Sequence, residues 1–302
     1  MTRFIFLLLL ICSFQFADAQ SDVRLNNYWD NTYYINPAAV TSKYGAVVSV
    51  AARKQWLGFT GAPSTFYATG TTYIDRMQTQ FGIKAYADKI GYTSVTNLSL
   101  SYAYSVLLNQ DYRLHLGIAA SYQNLAYDRA QAEALTPDDP ASFTRMMNTN
   151  NYNCDLGVEL KNKIWTLGAS SQNIFSAFFE ENKLQSNTNF LYVKYKNMTR
   201  NPINVGFGAA AIQSDLLFQM EFNGTAYFSY DNTPDFFQAG LFYRTRTEMG
   251  TILGMKLNNA LRVYYSYDFN VSGVKRVSTG SHEIMLVYTF DKSPRCLTCE
   301  EQ

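Results

Sequence analysis

Between Val95 and Tyr122 the chain reads as two runs of strict alternation. Leu98, Leu100, Tyr102, Tyr104 and Val106 alternate with Asn97, Ser99, Ser101, Ala103 and Ser105. After a short polar break, Tyr112, Leu114, Leu116, Ile118, Ala120 and Tyr122 alternate with Asp111, Arg113, His115, Gly117, Ala119 and Ser121. Successive side chains of a strand point to opposite faces, so a period of two marks a strand and the break marks a hairpin. Tyr112 and Tyr122 bracket the apolar band of the second run, a span of roughly 33 Å at about 3.3 Å per residue. Tilted by about 45°, that span projects to roughly 24 Å, against the ~25 Å apolar band between the aromatic girdles of an outer-membrane barrel. A secreted β-sandwich also alternates, so the rest of the chain must decide.

Residues 1–19 read as a signal peptide. Arg3 supplies the positive charge, Phe4–Cys12 the apolar core, and Ala17-Asp18-Ala19 the cleavage site ahead of Gln20. An uncleaved anchor is the alternative, but the apolar run falls short of the ~20 residues a membrane helix needs, and no later run approaches that length. A chain of this kind can span a membrane only as a closed barrel, which leaves no backbone group unpaired in lipid. Charged residues are 16% of the chain, while 23 Tyr and 21 Phe are present. That mix makes a poor soluble surface and suits a lipid-facing wall. The formal net charge of +1 gives no basic field for nucleic acid. Together these features point to the outer membrane of a diderm bacterium.

The expected fold is all-β, an antiparallel up-and-down barrel of about fourteen strands with long extracellular loops. The strands are expected at 46–56, 64–74, 79–88, 95–107, 111–125, 151–161, 164–171, 189–199, 202–212, 215–230, 235–245, 248–257, 261–270 and 281–290. An even count is what single-chain barrels of this class require. Residues 20–44 form an N-terminal periplasmic segment, ordered by its Tyr and Trp residues and by Asn36-Pro37-Ala38, and tucked under or into the barrel. Residues 45–290 are the transmembrane barrel and 291–302 a periplasmic tail. With the N-terminus periplasmic, the outside connections are 57–63, 89–94, 126–150, 172–188, 213–214, 246–247 and 271–280. Every connection longer than four residues falls in that set, and a sandwich has no reason to sort its loops by parity.

With the apolar faces toward lipid, the lumen receives Lys84, Asp88, Arg113, Asp155, Glu159, Glu221, Arg244, Lys256, Arg262, Asp268 and Glu283. A selective pore would carry one dominant sign. Mixed charges can pair across a narrow lumen and close it, although a solvated channel wall is also open. We expect Asp268 and Glu283 to pair with lumen cations that include Arg262. No nucleophile–base set, phosphate loop or metal-ligand cluster is present, so the chain reads as a non-enzyme without metal or cofactor. Cys296 and Cys299 form a CxxC whose first reading is a local disulfide in an oxidising compartment, and whose second is a reactive thiol pair.

Three segments carry a family likeness. The first is Ile35-Asn36-Pro37-Ala38-Ala39 followed by Arg53-Lys54-Gln55-Trp56-Leu57-Gly58-Phe59-Thr60-Gly61-Ala62-Pro63. The second is Asp88-Lys89-Ile90-Gly91-Tyr92 with Leu100-Ser101-Tyr102-Ala103-Tyr104 after it. The third is Tyr265-Ser266-Tyr267-Asp268, then Gly280-Ser281-His282-Glu283-Ile284. Together they resemble the PorP/SprF family of the Bacteroidota type IX secretion system, from about Asn36 to Phe290. The resemblance implies an outer-membrane barrel serving protein secretion or gliding motility. Its implied partners are periplasmic components of the machinery or a secreted adhesin-like surface protein.

The loops add candidate partner-binding residues. Trp56 and Phe59 anchor the first loop, which either closes the rim or offers a docking surface. Phe143, Met146 and Met147 lie in 126–150, and Phe175, Phe178 and Phe179 in 172–188. Such side chains pack together as a lid or form a docking patch. The expected function is binding or anchoring of a secreted protein, through its C-terminal domain, at this rim. The alternative is a diffusion channel or small-molecule transporter.

Overall fold

The alternation resolves into an apolar outside and a polar inside. On one strand Leu98, Leu100, Tyr102 and Tyr104 are exposed while Ser99, Ser101, Ala103 and Ser105 between them are buried. Lipid rewards the first set, and the second faces inward where a backbone-satisfied wall must be filled. In the computed structural model fourteen antiparallel strands close into a barrel, each paired with its sequence neighbours and the last with the first. The structure describes residues 25–41, 45–58, 61–127, 149–179, 184–214, 217–230, 233–245, 247–271 and 278–291. The signal peptide, the 128–148 connection and the cysteine-bearing tail lie outside them.

The strands are β1 (Gly45–Lys54), β2 (Ser64–Ile74), β3 (Thr79–Ile90), β4 (Thr93–Leu107), β5 (Arg113–Tyr127), β6 (Thr149–Lys161) and β7 (Trp165–Gln172). They continue as β8 (Thr188–Lys196), β9 (Ile203–Ser214), β10 (Leu217–Tyr230), β11 (Thr233–Arg244), β12 (Glu248–Lys256), β13 (Leu261–Asn270) and β14 (Ser281–Asp291). The founding hairpin pairs from Thr93↔Tyr127 to Leu107↔Arg113. The longest connections, 128–148 and 173–187, fall at one end of the barrel. Two short-end connections exceed the expected four residues, and the first is 108–112, because β5 begins at Arg113. β8 ends at Lys196, so the second runs 197–202 instead of 200–201, because Asn204 turns its side chain back onto Thr199 and Asn201 and holds that stretch out of the ladder. In barrels of this class the end with the short turns is the periplasmic one.

Residues 25–41 lie inside the barrel. They make two single 3-10 turns, Asn27–Trp29 and Thr32–Tyr34, and nearly every side chain is buried. The segment starts beside Asp268 and Glu283, near the long-loop ends of β13 and β14. It leaves past Gln80 and Thr71, near the short-turn end. The hydrophobic core therefore sits in the lumen. Leu25, Tyr28, Trp29, Tyr34 and Ile35 of the segment pack on Tyr67, Tyr192, Ile212, Phe242, Ile252, Tyr264 and Met285 of the wall. Inward glycines make the room. A Cβ at Gly117 would lie 2.4 Å from Ala38 N, and one at Gly157 would lie 1.9 Å from Asn36 Oδ1.

Candidate functional site

Six charged side chains on five neighbouring strands and their closing partner hold the outer half of the plug. Each sits at an inward position of β1, β10, β11, β12, β13 or β14. Arg53 Nη1 lies 2.9 Å from Asp268 Oδ2 and 3.4 Å from Glu283 Oε2, and its Nη2 lies 3.7 Å from Glu248 Oε2. Arg244 reaches Glu248 at 2.6 Å and Glu221 at 2.7 Å. Four carboxylates thus face two guanidinium groups, and the plug supplies the remaining donors. Asn26 N and Asn27 N donate to the two Glu283 oxygens at 2.7 and 3.0 Å. Asn27 Nδ2 adds a third bond to Glu283 at 2.8 Å, and Asn26 Nδ2 donates to Asp268 at 2.6 Å. Trp29 Nε1 donates to Glu221 at 2.5 Å. All six wall residues are buried. Buried charges are tolerated when paired and hydrogen-bonded in this way.

The middle of the plug is held by amide and hydroxyl groups together with Lys84, Asp155 and Glu159 of the wall. Asn36 Oδ1 accepts Ala38 N at 2.9 Å, which folds the Asn-Pro-Ala turn, and Asn36 Nδ2 donates to the Val158 carbonyl and to Tyr192 Oη. Tyr192 in turn donates to Glu159 at 2.7 Å. Lys84 pairs with Asp155 at 3.2 Å. Ser170 and Gln172 donate to the carbonyls of Ile35 and Tyr34 at 2.6 and 2.9 Å. Asn-Pro-Ala, Arg53, Asp268 and Glu283 are scattered through the sequence segments, and all of them meet at the plug.

Asp268 and Glu283 come together as expected members of one cluster, but Arg262 is not with them. It donates to Asp235 Oδ2 at 3.0 Å and to the Asp235 carbonyl at 2.7 Å, near the short-turn end. The cation that Asp268 and Glu283 share is Arg53. Sequence reasoning left Arg53 and Glu248 out of the lumen set. Both could have been found by phase: Arg53 follows Ser49 and Ala51 on the small-residue face of β1. Asn26 and Asn27 reach this cluster through both main-chain N–H groups and side-chain amides, and the main-chain donors have no sequence signature.

At the long-loop rim, Phe175, Phe178 and Phe179 are 44%, 74% and 59% exposed. A 3-10 turn, Ile174–Ala177, presents them, and Asn153 pins that turn through Phe175 N and Ser176 Oγ. Trp56 is half-buried elsewhere on the rim, since β1 and β8 stand seven strands apart in a ring of fourteen. It takes φ 51°, an uncommon conformation for a bulky residue. Its loop is clamped: Leu57 N donates to Gly280 O and Thr279 N to Leu57 O, each at 2.9 Å, and Gly91 N donates to Gly61 O at 3.1 Å. The Trp-Leu-Gly motif thus ties three connections into one rim. Phe59, Phe143, Met146, Met147, Cys296 and Cys299 lie outside the described residues. Among the described residues no group of three His, Cys, Asp or Glu is placed to hold a metal ion.

A sequence model of the family described as type IX secretion system membrane protein PorP/SprF matches residues 17–288. No curated protein sequence matches the chain. Among solved structures, the toluene transporter TbuX of Ralstonia pickettii is similar at 10% identity, over 86% of this chain and 93% of that one, with a TM-score of 0.51. A FadL homologue of Pseudomonas aeruginosa is similar at 11% identity, over 87% of this chain and 94% of that one, also with a TM-score of 0.51. Likeness at that identity speaks to the barrel fold.

Proposed function

The chain belongs to the PorP/SprF family of type IX secretion system membrane proteins, and on that premise we propose that it acts in the outer membrane as a plugged receptor. Its long-loop rim holds a secreted adhesin-like polypeptide by that polypeptide's C-terminal domain. Its periplasmic end meets components of the secretion machinery.

The observation that carries this reading is the occupied lumen. Residues 25–41 fill it with an aromatic core and buried ion pairs, and a diffusion channel or small-molecule transporter would need that segment to leave. The exposed Phe175, Phe178 and Phe179 support docking at the rim, because aromatic side chains held out by a pinned turn mark interaction surfaces.

Two measurements test the reading. In planar bilayers the native protein should give no steady conductance, and a stable open pore would support the channel instead. Changing Phe175, Phe178 and Phe179 together to Ser should release the secreted protein from the cell surface while the barrel stays at its normal level. Retention at the native level would refute the rim as the holding surface.

A further inference from the structure

Below the plug the barrel keeps a cup of about 350 Å3 that opens toward the short-turn end. That volume is in the range where small-ligand sites begin, roughly 300 Å3. Trp29 and Asp30 of the plug form its floor, and inward positions of β8, β10, β11, β12, β13 and β14 form its wall. Four cations line it, Lys194, Lys196, Lys256 and Arg262, against two carboxylates, Asp30 and Asp235. The excess is two positive charges.

The pairing inside the cup is uneven. Asp235 Oδ2 takes both Lys196 Nζ at 2.8 Å and Arg262 Nη1 at 3.0 Å. Asp30 accepts Gln238 Nε2 at 3.0 Å. Lys194 donates to the Trp29 carbonyl, and Lys256 to the Pro234 carbonyl at 2.9 Å. These two ammonium groups therefore spend a hydrogen bond each on a neutral acceptor, and an ammonium has three to give. The Tyr227 ring lies 4.1 Å from Lys196 Nζ and adds an aromatic wall.

We propose that this cup receives a carboxylate-bearing segment of a periplasmic polypeptide. The charged lining side chains of the strands lie on the inward face of the wall, with the 258–260 turn at the lip, so a ligand arrives along the barrel axis from the periplasm, and lipid headgroups outside the wall do not reach it. A folded domain does not fit the volume, whereas an Asp or Glu side chain on an extended segment does. Asp30 and Asp235 disfavour a doubly charged phosphate and accept peptide N–H groups. The cup lies at the opposite end from the phenylalanine patch, so either surface can fail without the other.

The test uses the full chain in detergent micelles and a fluorescein-labelled Gly-Glu-Glu-Glu-Gly peptide, read by anisotropy. Binding should weaken with salt. It should fall at least tenfold in the Lys194→Gln/Lys256→Gln double variant and measurably in Lys256→Gln alone, which lies at the lip and is the milder change. Lys54→Gln, at the other end of the barrel, should bind as the native protein does. A heat-dependent gel shift confirms that each variant is folded. The proposal is overturned if the native protein does not bind the peptide, or if folded Lys256→Gln and the double variant both bind it unchanged. It is also overturned if inorganic phosphate displaces the label as well as unlabelled peptide at equal concentration.

Discussion

Replacing Glu283 by Gln should loosen the outer half of the plug and leave the barrel closed around it. The carboxylate accepts Asn26 N, Asn27 N and Asn27 Nδ2 at 2.7, 3.0 and 2.8 Å, and it lies 3.4 Å from Arg53. Glutamine keeps the volume and one acceptor oxygen. Its NH2 then faces either a plug N–H or the guanidinium, donor against donor. Breaking a buried charge pair costs about 3–5 kcal/mol, and a stranded buried donor about 1–3 kcal/mol. Arg53 keeps Asp268 at 2.9 Å and Glu248 at 3.7 Å, which places the loss near the lower figure, about 3 kcal/mol. At ~1.4 kcal/mol per tenfold, the detached outer half becomes on the order of a hundredfold more populated. Asn36 and Gln80 still hold the middle and the exit. Hydrogen exchange reads the result: the amides of residues 26 and 27 should exchange about a hundredfold faster, by the same conversion, with the folded band on a gel intact. Exchange at the native rate in a folded variant would mean that this carboxylate does not hold the plug.

Other perturbations separate the parts of the lumen. Gly117→Ala should cost about 1–3 kcal/mol by overpacking, seen as a lower temperature for loss of the folded gel band, because the added carbon meets plug backbone at 2.4 Å. Gly224→Ala, whose nearest neighbour is a side-chain atom at 3.9 Å, should match the native protein in the same assay. Arg53→Gln should lower that temperature more than Arg262→Gln, since Arg53 serves three buried carboxylates and Arg262 one carboxylate nearer the mouth; equal shifts would contradict the arrangement. Natively purified protein should run faster on a gel before boiling than after, and identical mobility would argue against a closed barrel.

The wall was legible because lipid imposes one rule on every strand. Each exposed position must be apolar, so phase alone assigns faces, and Glu221, Arg244, Asp268 and Glu283 all read as inward. Partners were less legible, because pairing depends on axial level as well as face. Arg262 and Asp268 share a face of β13, yet six residues at about 3.3 Å each separate them by roughly 20 Å. That distance is why Arg262 belongs to the cup and Arg53, from the strand across the seam, belongs to Asp268. The plug was legible only as an ordered segment. Its two 3-10 turns carry no period, and two of its three bonds to Glu283 come from main-chain N–H groups, which every residue but proline possesses.

Arg53 and Glu283 stand directly opposite each other in the ladder that joins β1 to β14. That ladder is the seam, formed between the first strand made and the last. A slip of one residue there would turn every side chain of β14 to the wrong face. A slip of two would keep the faces but carry Glu283 roughly 6.6 Å along the strand, away from Arg53 and from both asparagines. The amino-terminal segment thus proofreads the final step of assembly: it finds its seat only when the last strand arrives in register. A misjoined barrel would present residues 25–41 as a loose arm, the kind of feature proteases select. Limited proteolysis of assembly intermediates should therefore cut this segment until the seam closes and spare it afterwards; equal cutting before and after closure would rule the proofreading out.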